Sequence, residues 1–141
     1  MNLLIKSVLL FVCIVALGNA QDIETFDIKV EVKNIENDEG KMFFGLHDNE
    51  NDFLKKEIKG GIKDIRNRTS TITFKDVPVG IYAVSVFHDE NDNGQLDTNS
   101  FGIPIEAFGC SNNAKGFMGP PKWKNAKFEL IEKDQNLIIK L

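Results

Sequence analysis

The run Ile81-Tyr82-Ala83-Val84-Ser85-Val86-Phe87 carries no charge and is dense in β-branched and aromatic residues. Side chains of that kind suit a pleated surface inside a sheet, so the run reads as a central strand. Asp76-Val77-Pro78-Val79-Gly80 precedes it as a turn signal. Further back, Thr69 to Phe74 alternates as a strand, and Glu57 to Ile65 is a weaker one broken by Gly60-Gly61. Phe26, Ile28, Val30 and Val32 alternate with Asp27, Lys29, Glu31 and Lys33, the period-two pattern of a strand with one buried face. Asn37-Asp38-Glu39-Gly40 is a turn, and Lys41 to His47 is the expected hairpin partner. Asp48 to Lys56 reads as a loop or one short helical turn. On the C-terminal side, Ala126 to Ile131 and Leu137 to Leu141 are expected to close the fold as a hairpin across Lys133-Asp134-Gln135.

Short strands, regular turns and no long amphipathic helix give an all-β class, a sandwich. One connection is anomalous, the loop 89–124. Loops of such length in a compact domain are functional or disordered. This one holds Phe101, Ile103, Phe108, Phe117, Met118 and Trp123, apolar material with which to pack itself down, and is read as ordered.

Residues 1–20 have the form of an export signal. Lys6 is the positive flank, Ser7 to Leu17 the apolar run, and Gly18-Asn19-Ala20 the small-residue cleavage site. The run is shorter than the roughly 20 residues that span a bilayer. Removal of this leader takes away Lys6 and leaves 121 residues, 21–141, with a charge balance of −5. That is enough chain for one domain and one core. The acidic balance disfavours nucleic acid and anionic lipid, and no membrane insertion is expected after cleavage. Periplasmic or secreted localisation follows, with an unidentified envelope or extracellular ligand as partner. Cys110 is then the sole cysteine, so no intrachain disulfide is available.

The chemistry lies in His88-Asp89-Glu90-Asn91-Asp92-Asn93-Gly94-Gln95-Leu96-Asp97. Oxygen-bearing side chains at alternate positions followed by a glycine are how a short loop wraps a hard cation. Counted as a calcium loop, Asp89, Asn91 and Asn93 take the first three ligand positions and Gln95 supplies a backbone carbonyl. Asp97 takes the ninth position. The last position, ordinarily a bidentate glutamate, is Ser100; Glu106 is the first candidate to fold back and fill it, ahead of Glu90 and Asp92. The cofactor expected is calcium in a structural role, tying the long loop to the sandwich. The competing account is an Asx-rich turn that caps its own amides without metal.

Val79-Gly80-Ile81-Tyr82-Ala83-Val84-Ser85-Val86 looks like the Gly-x-Tyr-x-Val-x-Val edge of transthyretin-like and carboxypeptidase-regulatory-like sandwiches. A longer run is more specific: His88 to Asn91, Gly94 to Asn99, Phe101-Gly102-Ile103-Pro104, Glu106-Ala107-Phe108-Gly109, Ser111 to Gly116 and Gly119-Pro120-Pro121. From Phe26 to Leu141 the chain resembles the small exported bacterial proteins grouped as domain of unknown function family 2141. The resemblance implies a bacterial source, export and a single immunoglobulin-like (transthyretin-like) antiparallel β-sandwich of about seven strands with one long ordered loop. It implies no activity. Cys110 departs from the pattern, which places an aromatic residue there.

Catalysis has weaker candidates. His88 and Cys110 invite a thiol–base pair, although neither sits in a nucleophile signature and a buried thiol is the commoner state. A hydrolase using the His88, Glu106 and Asn112 loop surface is the alternative to a noncatalytic binding or accessory module. A purely structural domain is the third reading. The Ser111 to Gly116 amides, with Phe117 or Trp123 as a stacking platform, are weighed against a self-bonded turn, which turn chemistry favours.

Overall fold

The computed structural model describes residues 22–141, so the leader expected at 1–20 lies outside the described residues. Thr25–Lys33 forms β1, in which Ile28, Val30 and Val32 are buried as the alternation requires. β2 (Lys41–His47), β3 (Lys59–Lys63), β4 (Ser70–Pro78) and β5 (Gly80–Asp89) follow. The long loop then supplies β6 (Phe108–Cys110), a 3-10 turn at Ser111–Asn113 and one helical turn, α1 (Trp123–Ala126). β7 (Phe128–Leu130) and β8 (Gln135–Lys140) end the chain.

Two sheets face each other. One has the order β4-β1-β8; the other has the order β3-β2-β5-β6, with β7 pairing the start of β5. The all-β sandwich is therefore as expected, with β5 inside its sheet. Pairing is antiparallel except between β1 and β8, which run parallel. Ile28, Val30, Leu46, Val84, Leu130 and Ile139 fill the space between the sheets. Fully burying each such side chain is worth about 1.5–3 kcal/mol.

Three expectations about connectivity are corrected. β1 and β2 do not form a hairpin: they lie in opposite sheets. The link between them buries Ile35 in the core, and Asp38 accepts hydrogen bonds from the N–H groups of Asn67 and Arg68 at 2.9 and 2.7 Å. It is therefore anchored across the sandwich rather than folded back on itself. The C-terminal pair also separates, β7 joining β5 and β8 joining β1. Asp134, just before β8, accepts from the Asp27 N–H at 2.8 Å and holds that end of the strand beside β1. Finally, Asp76 does not end β4. It takes a positive φ of 52° beside a register shift in β1, and its N–H is held by Asp27 Oδ1 at 3.1 Å, so the strand kinks and continues to Pro78.

A second apolar cluster, Phe53, Ala83, Cys110, Ala114, Trp123 and Ala126, covers the outer face of the larger sheet. His47 borders it, edge-on to Phe53 at 5.4 Å, with one ring nitrogen on the Lys56 carbonyl at 3.2 Å and the other on Ser85 Oγ at 2.9 Å. Burial lowers the His47 pKa and so favours the neutral ring. The imidazole thereby ties the turn after β2, where the N–H of Lys56 bonds the Asp52 carbonyl, to the sheet.

Candidate metal centre

β5 ends at Asp89, and the segment that leaves it folds back over that residue. Asp89 is 0% exposed. Its Oδ1 accepts from the Asn93 N–H at 3.1 Å and its Oδ2 from the Gly94 N–H at 2.8 Å. Asn91 Oδ1 accepts from the same Asn93 N–H at 3.2 Å, and Asn93 Oδ1 accepts from the Gln95 N–H at 2.9 Å. Gly94, at φ +80°, makes the turn that wraps the segment around these oxygens.

Asp97 closes the ring. Its two carboxylate oxygens accept from the side-chain amides of Asn91 and Asn93 at 2.6 and 2.9 Å. Glu106 does fold back, its oxygens accepting from the Glu90 N–H at 3.1 Å and the Asp97 N–H at 2.9 Å. Asp89, Asn91, Asn93, Asp97 and Glu106 are thus brought into one hydrogen-bonded network. Gln95 enters it through its N–H. Glu39, Glu90, Asn91, Asp97, Ile105 and Glu106 line a shallow cavity of about 390 Å³ at its edge.

The charge of this segment is one-sided. Asp89, Glu90, Asp92, Asp97 and Glu106 fall within residues 89–106, which contain no lysine or arginine. The ion pairs found among the described residues, Lys33–Glu31, Lys41–Asp64 and Lys75–Asp27, leave all five carboxylates out. Among the described residues, no three histidine, cysteine, aspartate or glutamate side chains form a metal cluster by themselves. Any ion here would draw on the amides of Asn91 and Asn93 as well, which calcium, an oxygen-seeking cation, accepts.

The catalytic candidates are held apart. His88 is buried, with Nε2 on the Glu39 carbonyl at 2.7 Å. Cys110 pairs with Ser85 across β5 and β6 and belongs to the outer cluster, so it lies on the opposite sheet face from His88. Burial raises its thiol pKa to about 11, which disfavours the nucleophilic thiolate. Asn112 spends its amide on the carbonyls of Asn125 and Lys127 at 3.1 and 2.9 Å, and Asn113 Oδ1 accepts from the Lys140 N–H at 2.9 Å. These amides splice the loop to α1 and β8, whereas Glu106 is engaged at the acidic segment.

Two residues matter that pattern-reading passed over. Gly40, seen only as a turn glycine, packs its Cα against the end of β5, where a Cβ would lie 1.9 Å from the Asp89 carbonyl oxygen. Ser111, seen only as part of a polar run, is 0% exposed. Its Oγ accepts from the Val84 N–H at 2.9 Å and donates to the Ala126 carbonyl at 2.5 Å, pinning the returning loop to β5. Ser111→Ala leaves a buried N–H and a carbonyl without partners, at a cost of about 1–3 kcal/mol. A urea melt checks this: the midpoint falls with an unchanged slope.

Residues 30–138 match the family described as "Uncharacterized protein conserved in bacteria (DUF2141)". No curated protein and no solved structure matches the chain.

Proposed function

We propose that this chain, which belongs to the DUF2141 family of uncharacterized proteins conserved in bacteria, is an exported, noncatalytic binding or accessory module of the bacterial envelope whose acidic loop takes up calcium. Asp89, Asn91, Asn93, Asp97 and Glu106 are its side-chain ligands, directly or through water, and Gln95 contributes its carbonyl. The observation that carries this reading is convergence. A single N–H, that of Asn93, is shared by Asp89 and Asn91, while Asp97 reaches both asparagines. Four side chains therefore surround one small volume, in a segment with five carboxylates and no cation. A divalent ion seated against Asp97 would take the place of the Asn91 and Asn93 amide donors on its oxygens and relieve the like-charge repulsion.

An export address and a cation-rich setting suit a weak site, with Kd on the order of 10⁻⁴ M. Calorimetric titration of the chain with calcium chloride tests it. At a hundred times that Kd the ion stabilises the fold by about 2.7 kcal/mol, a rise in Tm on the order of 10 °C. Identical melting curves in calcium and in chelator would overturn the reading and leave a self-capped Asx turn.

A further inference from the structure

The expectation that the long loop packs its apolar residues down holds for Trp123 but not for Phe101, Ile103, Phe108, Phe117 or Met118, which are exposed. Phe117 is 91% and Met118 95% exposed. Their protrusion is built. Gly116 and Gly119 touch, since a Cβ on Gly116 would lie 1.7 Å from the Gly119 carbonyl oxygen, and Met118 takes φ +54°. Ala114 and Pro121 on either side are buried. Two large apolar side chains therefore stand at the apex of a closed turn with an anchored base.

The charge around this apex opposes that of the whole chain. Residues 111–127 contain Lys115, Lys122, Lys124 and Lys127 and no acidic residue. All four lysines are exposed, and none belongs to an ion pair among the described residues. In α1, Trp123 and Ala126 face the outer cluster, leaving Lys124 in solvent. At physiological salt a field is screened over about 8 Å, so a surface meets the local charge of this loop rather than the net −4 of the molecule. Exposed aromatic and thioether groups among lysines are the composition that enters the boundary of an anionic bilayer.

We propose that the Gly116–Gly119 turn is a membrane-contact loop, seating Phe117 and Met118 among the headgroups of an anionic phospholipid surface while Lys115, Lys122, Lys124 and Lys127 meet the phosphates. The acidic half of the same long loop supplies the contrast. Phe101 is 89% exposed, yet it lies among the five carboxylates of residues 89–106, which an anionic surface repels.

Flotation of the chain with phosphatidylglycerol–phosphatidylcholine vesicles and with pure phosphatidylcholine vesicles, in chelator, tests this independently of calcium. The chain binds the anionic vesicles and not the neutral ones, and binding weakens as salt rises. Phe117→Ser with Met118→Ser, and separately Lys122→Gln with Lys124→Gln, weaken partitioning by roughly tenfold or more. Phe101→Ser leaves it unchanged. Equal binding to both vesicle types, no binding to either, or full binding by the Phe117/Met118 variant overturns the proposal. Light scattering that shows a dimer lost on Phe117→Ser, without vesicle binding, would assign the tip to a second copy of the chain and likewise overturn it.

Discussion

In chelator the Asp89→Ala variant melts well below the parent chain, and calcium no longer raises its melting temperature. The first effect follows from the carboxylate's position. Asp89 is wholly buried, pairs with no cation among the described residues, and spends both oxygens on the N–H groups of Asn93 and Gly94. A hydrogen bond to a charged acceptor contributes about 1.5–3 kcal/mol. Losing two of them, partly offset by removing a buried charge, costs about 2–4 kcal/mol, a fall in Tm on the order of 10 °C. The second effect follows from its place as first ligand of the proposed site. Asp97→Ala separates the two roles. Asp97 is only half-buried and its side chain bonds exposed asparagine amides, so the metal-free cost is small while the calcium response is lost as completely. Thermal melts of both variants, each in calcium and in chelator, read this directly. If Asp97→Ala keeps the full calcium shift, the ligand set is wrong even if Asp89→Ala behaves as stated.

How far residues alone lead depends on which physical quantity they encode. Alternation in Phe26 to Lys33 encodes which face is buried, and Ile28, Val30 and Val32 are indeed in the core. It does not encode which strand lies alongside. That choice between β2 and β4 is made by the buried Ile35 and by the Asp38 contacts at Asn67 and Arg68, all distant in sequence. The same reason hides the parallel β1–β8 pair, since the residues of β8 pattern equally well for a hairpin with β7. The acidic loop is more legible because its geometry is local. Alternate side chains and a glycine of positive φ bring Asp89, Asn91 and Asn93 together within a few residues. His88 and Cys110 misled for a matter of parity. Cys110 lies opposite Ser85, and His88 is three residues further along the strand, hence on the other face. Phe117 and Met118 read as loop core because they are apolar; the close approach of Gly116 and Gly119, which places them at the apex of a tight turn, is not encoded in hydropathy.

Gly40→Ala is expected to lower stability strongly, and it alters the acidic loop without replacing a ligand. The residue sits at φ +64°, a region that costs an L side chain about 1–2 kcal/mol. The steric term is larger. A Cβ would lie 1.9 Å from the Asp89 carbonyl oxygen and 2.8 Å from the carbonyl carbons of Asp89 and Glu90. These are backbone atoms of a central strand's end, so no side chain can swing aside; the β1–β2 link or the end of β5 must move. Both carry consequences. The link holds the Glu39 carbonyl on buried His88, and the end of β5 sets the direction of Asp89. A loss of about 3 kcal/mol or more is expected, read as a fall in urea midpoint, together with weaker calcium binding by calorimetry. Gly94→Ala is the calibrating comparison. It has an equally unfavourable φ of +80° but no atom within 4 Å of the added methyl, so it bears the conformational cost alone. Should the two variants melt together, the contact between Gly40 and the end of β5 contributes nothing, and the loop's anchoring must be sought on the Glu106 side, where the Glu90 and Asp97 amides are held.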